Sequence, residues 1–168
     1  MIVVSDASPI IGLSAVGKLF LLKQLYEKVL IPESVAREIY EGEPGQPGIE
    51  ELRGADWITT QSNGNSFLVR ALDGELDKGE AEAIALAIEL RADLLLVDER
   101  RARKVAGRLG LQVVGVLGVL VEAKRRGLLA AVRPVLDDLL EKAGFRISSD
   151  LYRLVVQTTG EDLEEKRD

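Results

Sequence analysis

The side chains that could do polar chemistry in this chain are carboxylates, hydroxyls, Lys and Arg, because it holds no His and no Cys. That absence excludes thiolate nucleophiles, imidazole acid–base catalysis, Ser-His-Asp triads and zinc held by His or Cys. Any metal bound here is a hard cation held through oxygen. Asp6 follows the apolar run Ile2-Val3-Val4-Ser5, and Asp98 closes Leu94-Leu95-Leu96-Val97. Glu80 opens a segment rich in Ala, Ile and Leu, and Glu38 lies on a predicted helix between the first two acids. Carboxylates brought together repel and raise one another's pKa values unless a cation sits between them, and Mg²⁺ or Mn²⁺ is the natural occupant. Such an ion positions water and stabilises charge in an in-line attack at phosphorus.

Each acid also has a plain structural explanation. Asp6 precedes Ala7-Ser8-Pro9, so either Asp6 or Ser8 can cap the helix that Pro9 opens. Glu38 stands beside the apolar stripe Val35, Ala36 and Ile39, with Glu33 and Glu41 as neighbours, and taken alone a solvated face accounts for it better than a site does. Helical phase separates Glu80 from Glu82. At about 100° per residue, Glu82 and Glu89 share a face, the solvated one, whereas Glu80 falls in line with Ile84 and Ala87. Glu80 therefore points inward at a helix N-terminus, where the dipole favours an anion. Asp98 can cap the amphipathic helix expected over 99–109, which buries Ala102, Val105, Ala106 and Leu109. Arg100, Lys104 and Arg108 form an outward i, i+4 stripe on it. Such a stripe is ordinarily a solvated face, but this one begins beside the acids and is a candidate for phosphate contact.

The elements that position these residues alternate. Strands are expected at 2–5, 29–31, 57–60, 94–97 and 111–114. Helices are expected over about 7–16, 19–26, 32–41, 49–53, 67–72, 79–90, 99–109, 115–124, 128–143 and 149–158. Loops stand at Gly42–Gly48 and Ser62–Ser66, and 161–168 reads as a frayed, charged tail. Short apolar strands alternating with helices imply an α/β fold, a three-layer sandwich around a parallel sheet. Ligands in such sheets bind beyond the carboxyl ends of the strands where strand order reverses, so Asp6 and Asp98 meet if the first and fourth strands are neighbours.

The 168 residues suffice for one domain, read here as 1–160 with a core of about 1–115 and a C-terminal helical extension over about 116–160. Net charge of −6 argues against non-specific attraction to nucleic acid, although clustered acids bias that total. No apolar run approaches the roughly 18 residues of a membrane span and no signal peptide is recognisable, so a cytoplasmic protein is expected. The Leu-rich helices at 19–26 and 115–140 offer more apolar surface than a small sheet needs, which predicts a homodimer.

Four segments carry a resemblance. Val4-Ser5-Asp6-Ala7-Ser8-Pro9, Ile31-Pro32-Glu33-Ser34-Val35-Ala36-Arg37-Glu38, Gly79-Glu80-Ala81-Glu82-Ala83-Ile84-Ala85 and Leu95-Leu96-Val97-Asp98 together resemble a PIN domain over about residues 1–115. The step of 18 residues from Glu80 to Asp98 suits the family's third and fourth acids, and Glu82 fits it less well. The resemblance implies a five-stranded parallel sheet in the order 3-2-1-4-5. It implies Mg²⁺- or Mn²⁺-dependent cleavage of single-stranded RNA, leaving a 5′-phosphate and a 3′-hydroxyl. Asp6, Glu38, Glu80 and Asp98 would be the catalytic, metal-binding acids, with Ser8 orienting the first. Many relatives are VapC-like toxins held inactive by a small antitoxin. The ending Gly144-Phe145-Arg146-Ile147-Ser148 resembles an uncharacterised prokaryotic branch. Two positions depart from the common pattern: the third acid is Glu rather than Asp, and Leu96 stands where many relatives carry Thr or Ser, leaving Glu99 as a candidate extra ligand.

The leading expectation is a metal-dependent endoribonuclease, a toxin with an antitoxin partner. The competing one is a catalytically weak or inactive module that binds nucleic acid or protein, its acids serving as caps. A small-molecule binder has little support, since GxGxxG and GxxxxGK[ST] are both missing.

Overall fold

Alternate residues of the strands enter opposite cores. Val3, Val29, Ile31, Leu94 and Leu96 lie in one apolar cluster, while Val4, Leu95 and Val97 lie in the other. That period of two with both faces covered is what continuous Val/Leu/Ile runs require in a parallel sheet. The computed structural model describes residues 1–161. Its strands are β1 (Val3–Ser5), β2 (Val29–Pro32), β3 (Ile58–Gln61), β4 (Leu94–Leu96) and β5 (Val113–Val114). They form one parallel sheet in the order β3-β2-β1-β4-β5, the order the resemblance implied. In register, Val3 faces Leu94, Val4 faces Leu95 and Ser5 faces Leu96. Strand order reverses at this β1–β4 pair, so the carboxyl ends of β1 and β4 open the crevice where such sheets take ligands.

The helices are α1 (Ala7–Ala15), α2 (Phe20–Tyr26), α3 (Glu33–Tyr40), α4 (Ile49–Arg53), α5 (Ser66–Leu72), α6 (Lys78–Glu89), α7 (Arg100–Arg108), α8 (Val116–Arg125), α9 (Arg133–Lys142) and α10 (Ser149–Thr158). Residues of α1, α2, α3, α8 and α9 build the first cluster. Ala81, Ile84 and Leu86 of α6, with Ala102 and Val105 of α7, build the second. The sheet is thus the middle of three layers.

Several expectations need correction. A helix running through 128–143 would need an amide N–H at Pro134, which Pro lacks, and its ring would strike the preceding turn. Gly127, at φ 74°, ends the preceding helix, and α9 starts only at Arg133 with Pro134 in its first turn. The fifth strand begins at Val113 rather than 111, because the Leu111 N–H instead donates to the Ala106 carbonyl and closes α7. Glu82 is half-buried rather than solvated: Asn63 Nδ2 donates to its carbonyl, and Glu82 Oε2 is buried without a partner.

The apolar helices that suggested a homodimer are largely used within the chain. Leu21, Leu22 and Leu25 of α2, Leu120 of α8, and Leu136 and Leu139 of α9 are buried in the first core. Of the expected tail only Glu161 is among the described residues, and it is held rather than frayed: it accepts from the N–H groups of Val132 and Arg133. Among the described residues no helix is long and apolar enough to cross a membrane.

Candidate functional site

Asp6 leaves β1 in extended conformation (φ −78°, ψ 173°) at the boundary of α1, and its side chain makes no helix-capping hydrogen bond. Its N–H donates to the Leu96 carbonyl at 2.9 Å, pinning the chain where β1 parts from β4. The carboxylate is 6% exposed. Burial pushes its pKa up to about 7; the Ala7 N–H draws it down, and the charges of Asp77, Glu80 and Glu38 add to the rise. Burial without a matching cation is the cause.

Glu38 reaches the same place from α3, on the exposed side of that helix. Its pKa is raised by partial burial first and by the Asp77 charge second. The meeting point is Gly79: a Cβ built there would lie 3.4 Å from both Asp6 Oδ1 and Glu38 Oε2. The small residue lets the first turn of α6 approach two carboxylates closely.

Glu80 is 7% exposed, on the inward face that helical phase assigns it. It is also half of a capping box, in which the Asp77 N–H donates to Glu80 Oε1 at 3.0 Å and the Glu80 N–H to Asp77 Oδ1 at 2.8 Å. Burial raises the Glu80 pKa, the Asp77 N–H lowers it, and the Asp77 and Glu99 charges raise it again. Asp77 belongs to the acid group in its own right, since its charge acts on Asp6, Glu38 and Glu80. The signal was present in the sequence: Asp77 and Glu80 stand in the D-x-x-E spacing that opens helices.

Asp98 is placed differently. Glu99 caps α7, accepting from the Ala102 N–H at 3.1 Å, so the extra ligand suggested at Glu99 is engaged as a helix cap. The Asp98 carboxylate turns toward the start of α8 and accepts from the Val116 N–H at 2.8 Å. Burial raises its pKa, while the Val116 N–H and the Arg103 charge lower it. Asp98 Oδ2 is buried and has no hydrogen-bond partner among the described residues. Glu38, Asp98 and the exposed Ser8 share a cavity of about 450 Å³ with residues of the α9–α10 connection.

The donor types suit Mg²⁺ or Mn²⁺, being oxygen throughout, and the orphaned Asp98 Oδ2 is an atom a cation would satisfy. The arrangement does not fit such an ion as it stands. Glu80 and Asp98 each accept one backbone N–H and keep a second oxygen, but among the described residues no three acids are grouped so as to hold one metal.

Arg100, Lys104 and Arg108 line a second cavity of about 440 Å³ together with Glu75, Glu99 and Arg101. Arg108 pairs with Glu75 at 3.2 Å, which engages one member of the stripe.

A family model, DUF3368, described as a PIN domain, matches residues 2–161. The chain belongs to the PIN-domain family. Among solved structures, this PIN domain is similar to a PilT N-terminus domain protein from the hyperthermophilic archaeon Sulfolobus solfataricus P2. The two are 20% identical, over 73% of this chain and 93% of that one, with a TM-score of 0.58. At that identity the likeness is one of fold. No curated protein matches the chain.

Proposed function

We propose that this PIN domain engages single-stranded RNA at its acid crevice as a module of low or no catalytic power in the arrangement described. The observation that carries this reading is that, among the described residues, no three acids are grouped so as to hold one metal. Family membership and the position of the crevice at the β1–β4 switch point support nucleic acid as the ligand. The basic stripe of α7 offers Arg100 and Lys104 for phosphates nearby.

A second reading has its own observation. Asp6 is buried among like charges with a pKa pushed up to about 7, a site short of positive charge. On that reading the chain is a Mg²⁺- or Mn²⁺-dependent endoribonuclease, the toxin of a toxin–antitoxin pair with a small antitoxin as partner. Asp6 and Glu38 would be ligands at once, and Glu80 and Asp98 once released from their backbone donors; Ser8 would steady Asp6. Homodimerisation belongs to this reading too, and light scattering at micromolar concentration tests it.

Calorimetric titration with Mn²⁺ and incubation of labelled single-stranded RNA with Mn²⁺ separate the two. RNA binding without metal uptake or cleavage supports the first. Cleavage that is lost in both Asp6→Asn and Asp98→Asn overturns it in favour of the second. A wild-type protein that binds no RNA sinks both.

A further inference from the structure

The α9–α10 connection brings an aromatic ring and a guanidinium to the acid crevice. Gly144 adopts φ 64°, a left-handed conformation that turns the chain off the end of α9. The next N–H, of Phe145, donates back to the Leu139 carbonyl at 3.1 Å. Phe145 is half-buried and packs against the main core, so the connection is held in place rather than loose. Arg146 then projects as an exposed cation with no hydrogen bond or ion pair among the described residues. Both residues line the cavity of about 450 Å³ whose other side carries Ser8, Ile11, Glu38 and Asp98.

From this juxtaposition we infer that Phe145 and Arg146 form a subsite for one unstacked nucleotide of single-stranded RNA, the base against the ring and a phosphate on the guanidinium. The inference rests on the RNA-binding reading and assigns that ligand its place. The volume lies within the roughly 300–1,000 Å³ usual for small-ligand sites. Among the described residues Arg146 is the one cation lining a cavity that also holds two carboxylates, and it pairs with neither. Its planar fork of donors is free for a phosphate, which a guanidinium can hold with two parallel hydrogen bonds. Phe145 and Ile11 give the apolar wall that a base face needs, and aromatic stacking accepts any base. A paired base could not reach the ring, so the subsite selects single strands.

The test is fluorescence anisotropy with a short, unstructured, fluorescein-labelled RNA in EDTA, which keeps any cleavage out of the measurement. Arg146→Ala should weaken binding about tenfold and reduce the log–log salt slope by about 0.7, the value for one phosphate contact on a single strand. Phe145→Leu keeps apolar packing and removes the ring; it should weaken binding about fivefold or more with the salt slope unchanged. Lys28→Ala makes the same charge change as Arg146→Ala beside Met1 and Leu25, just before β2 and away from the crevice, and should stay within about twofold of wild type. Thermal melting checks that all three variants fold. If Arg146→Ala and Phe145→Leu bind as Lys28→Ala does, the subsite is refuted while the RNA-binding reading stands. If wild type binds no RNA, the reading itself falls and takes the subsite with it.

Discussion

Asp6 and Glu161 are carboxylates with little exposed surface, and their surroundings move them in opposite directions. The Asp6 residue is 6% exposed and the Glu161 side chain 13%. Around Asp6 stand Asp77, Glu80 and Glu38, and its pKa is pushed up to about 7. Around Glu161 stand the N–H groups of Val132 and Arg133 at 2.9 and 3.0 Å and the Lys124 ammonium at 3.0 Å. Burial alone would raise Glu161, but the Arg133 and Val132 N–H groups, the Thr159 hydroxyl and Lys124 pull it down to about 2. Glu161 lies at the N-terminus of α9, where the helix dipole also favours an anion. Depth and donors together separate the two: Asp6 lies deep among like charges, whereas Glu161 lies nearer the surface with a donor on each oxygen. One carboxylate ties the end of α10 to the start of α9; the other is pushed toward its neutral form, as crevice residues often are.

The largest effect expected from breaking this contrast is at Asp6. Its folded pKa of about 7 lies above the ordinary Asp value of 3.8, so its contribution to stability is complete below about pH 4 and is lost as pH rises through about 7. Asp6→Asn removes the charge without changing the shape. It should stabilise the metal-free protein by about 2–4 kcal/mol at about pH 8, and the gain should shrink toward zero near pH 4. Urea unfolding at the two pH values measures it. A variant no more stable than wild type at the higher pH would mean that the acids of the crevice do not strain the fold.

Glu161→Gln should act in the opposite sense. The folded pKa of about 2 lies below the ordinary Glu value of 4.5, so this contribution is present above about pH 4.5 and is lost as pH falls through about 2. The variant should lose about 1–2 kcal/mol at neutral pH, screening by solvent included, because Val132 and Arg133 keep only an amide oxygen and Lys124 loses its partner. The same urea experiment, carried down toward pH 2, should show the loss fade. A loss that persists unchanged in acid would assign the effect to packing rather than charge.

The features legible in the sequence were those set by neighbours along the chain. Val3, Val4 and Leu94 to Val97 announce buried strands by composition, and helical phase alone turns Glu80 inward, away from Glu82. The reciprocal Asp77–Glu80 cap is equally local, its D-x-x-E spacing standing just before the apolar helix face. What could not be read depends on which distant backbone N–H lies over which carboxylate. Nothing near Asp98 says that Val116 will donate to it, and nothing in the charged C-terminal stretch says that Glu161 will find Val132 and Arg133. The same holds for Phe145 and Arg146, which reach Ser8 and Glu38 only because α9 packs beside α1.

Asp98 lies between the two extremes, and Gly115 is where its position can be shifted. It resembles Glu161 in accepting from a helix N-terminus with a cation beside it, and Asp6 in having a pKa raised by burial. A Cβ at Gly115 would fall 2.7 Å from Asp98 Oδ1 and 2.7 Å from Arg103 Nη1. The backbone there (φ −96°, ψ −178°) suits alanine, so strain would come from those two contacts and not from the chain. Arg103 is long and exposed and can swing clear. Asp98 can yield only by loosening its bond from Val116, which should cost Gly115→Ala about 1 kcal/mol in urea unfolding. That carboxylate would then face the crevice, and Mn²⁺ uptake measured by calorimetry should rise above wild type if the backbone bond is what withholds it. Lowered stability with no gain in Mn²⁺ uptake would mean that Asp98 serves only to hold α8, and would leave Asp6, Glu38 and Glu80 as the acids of the crevice.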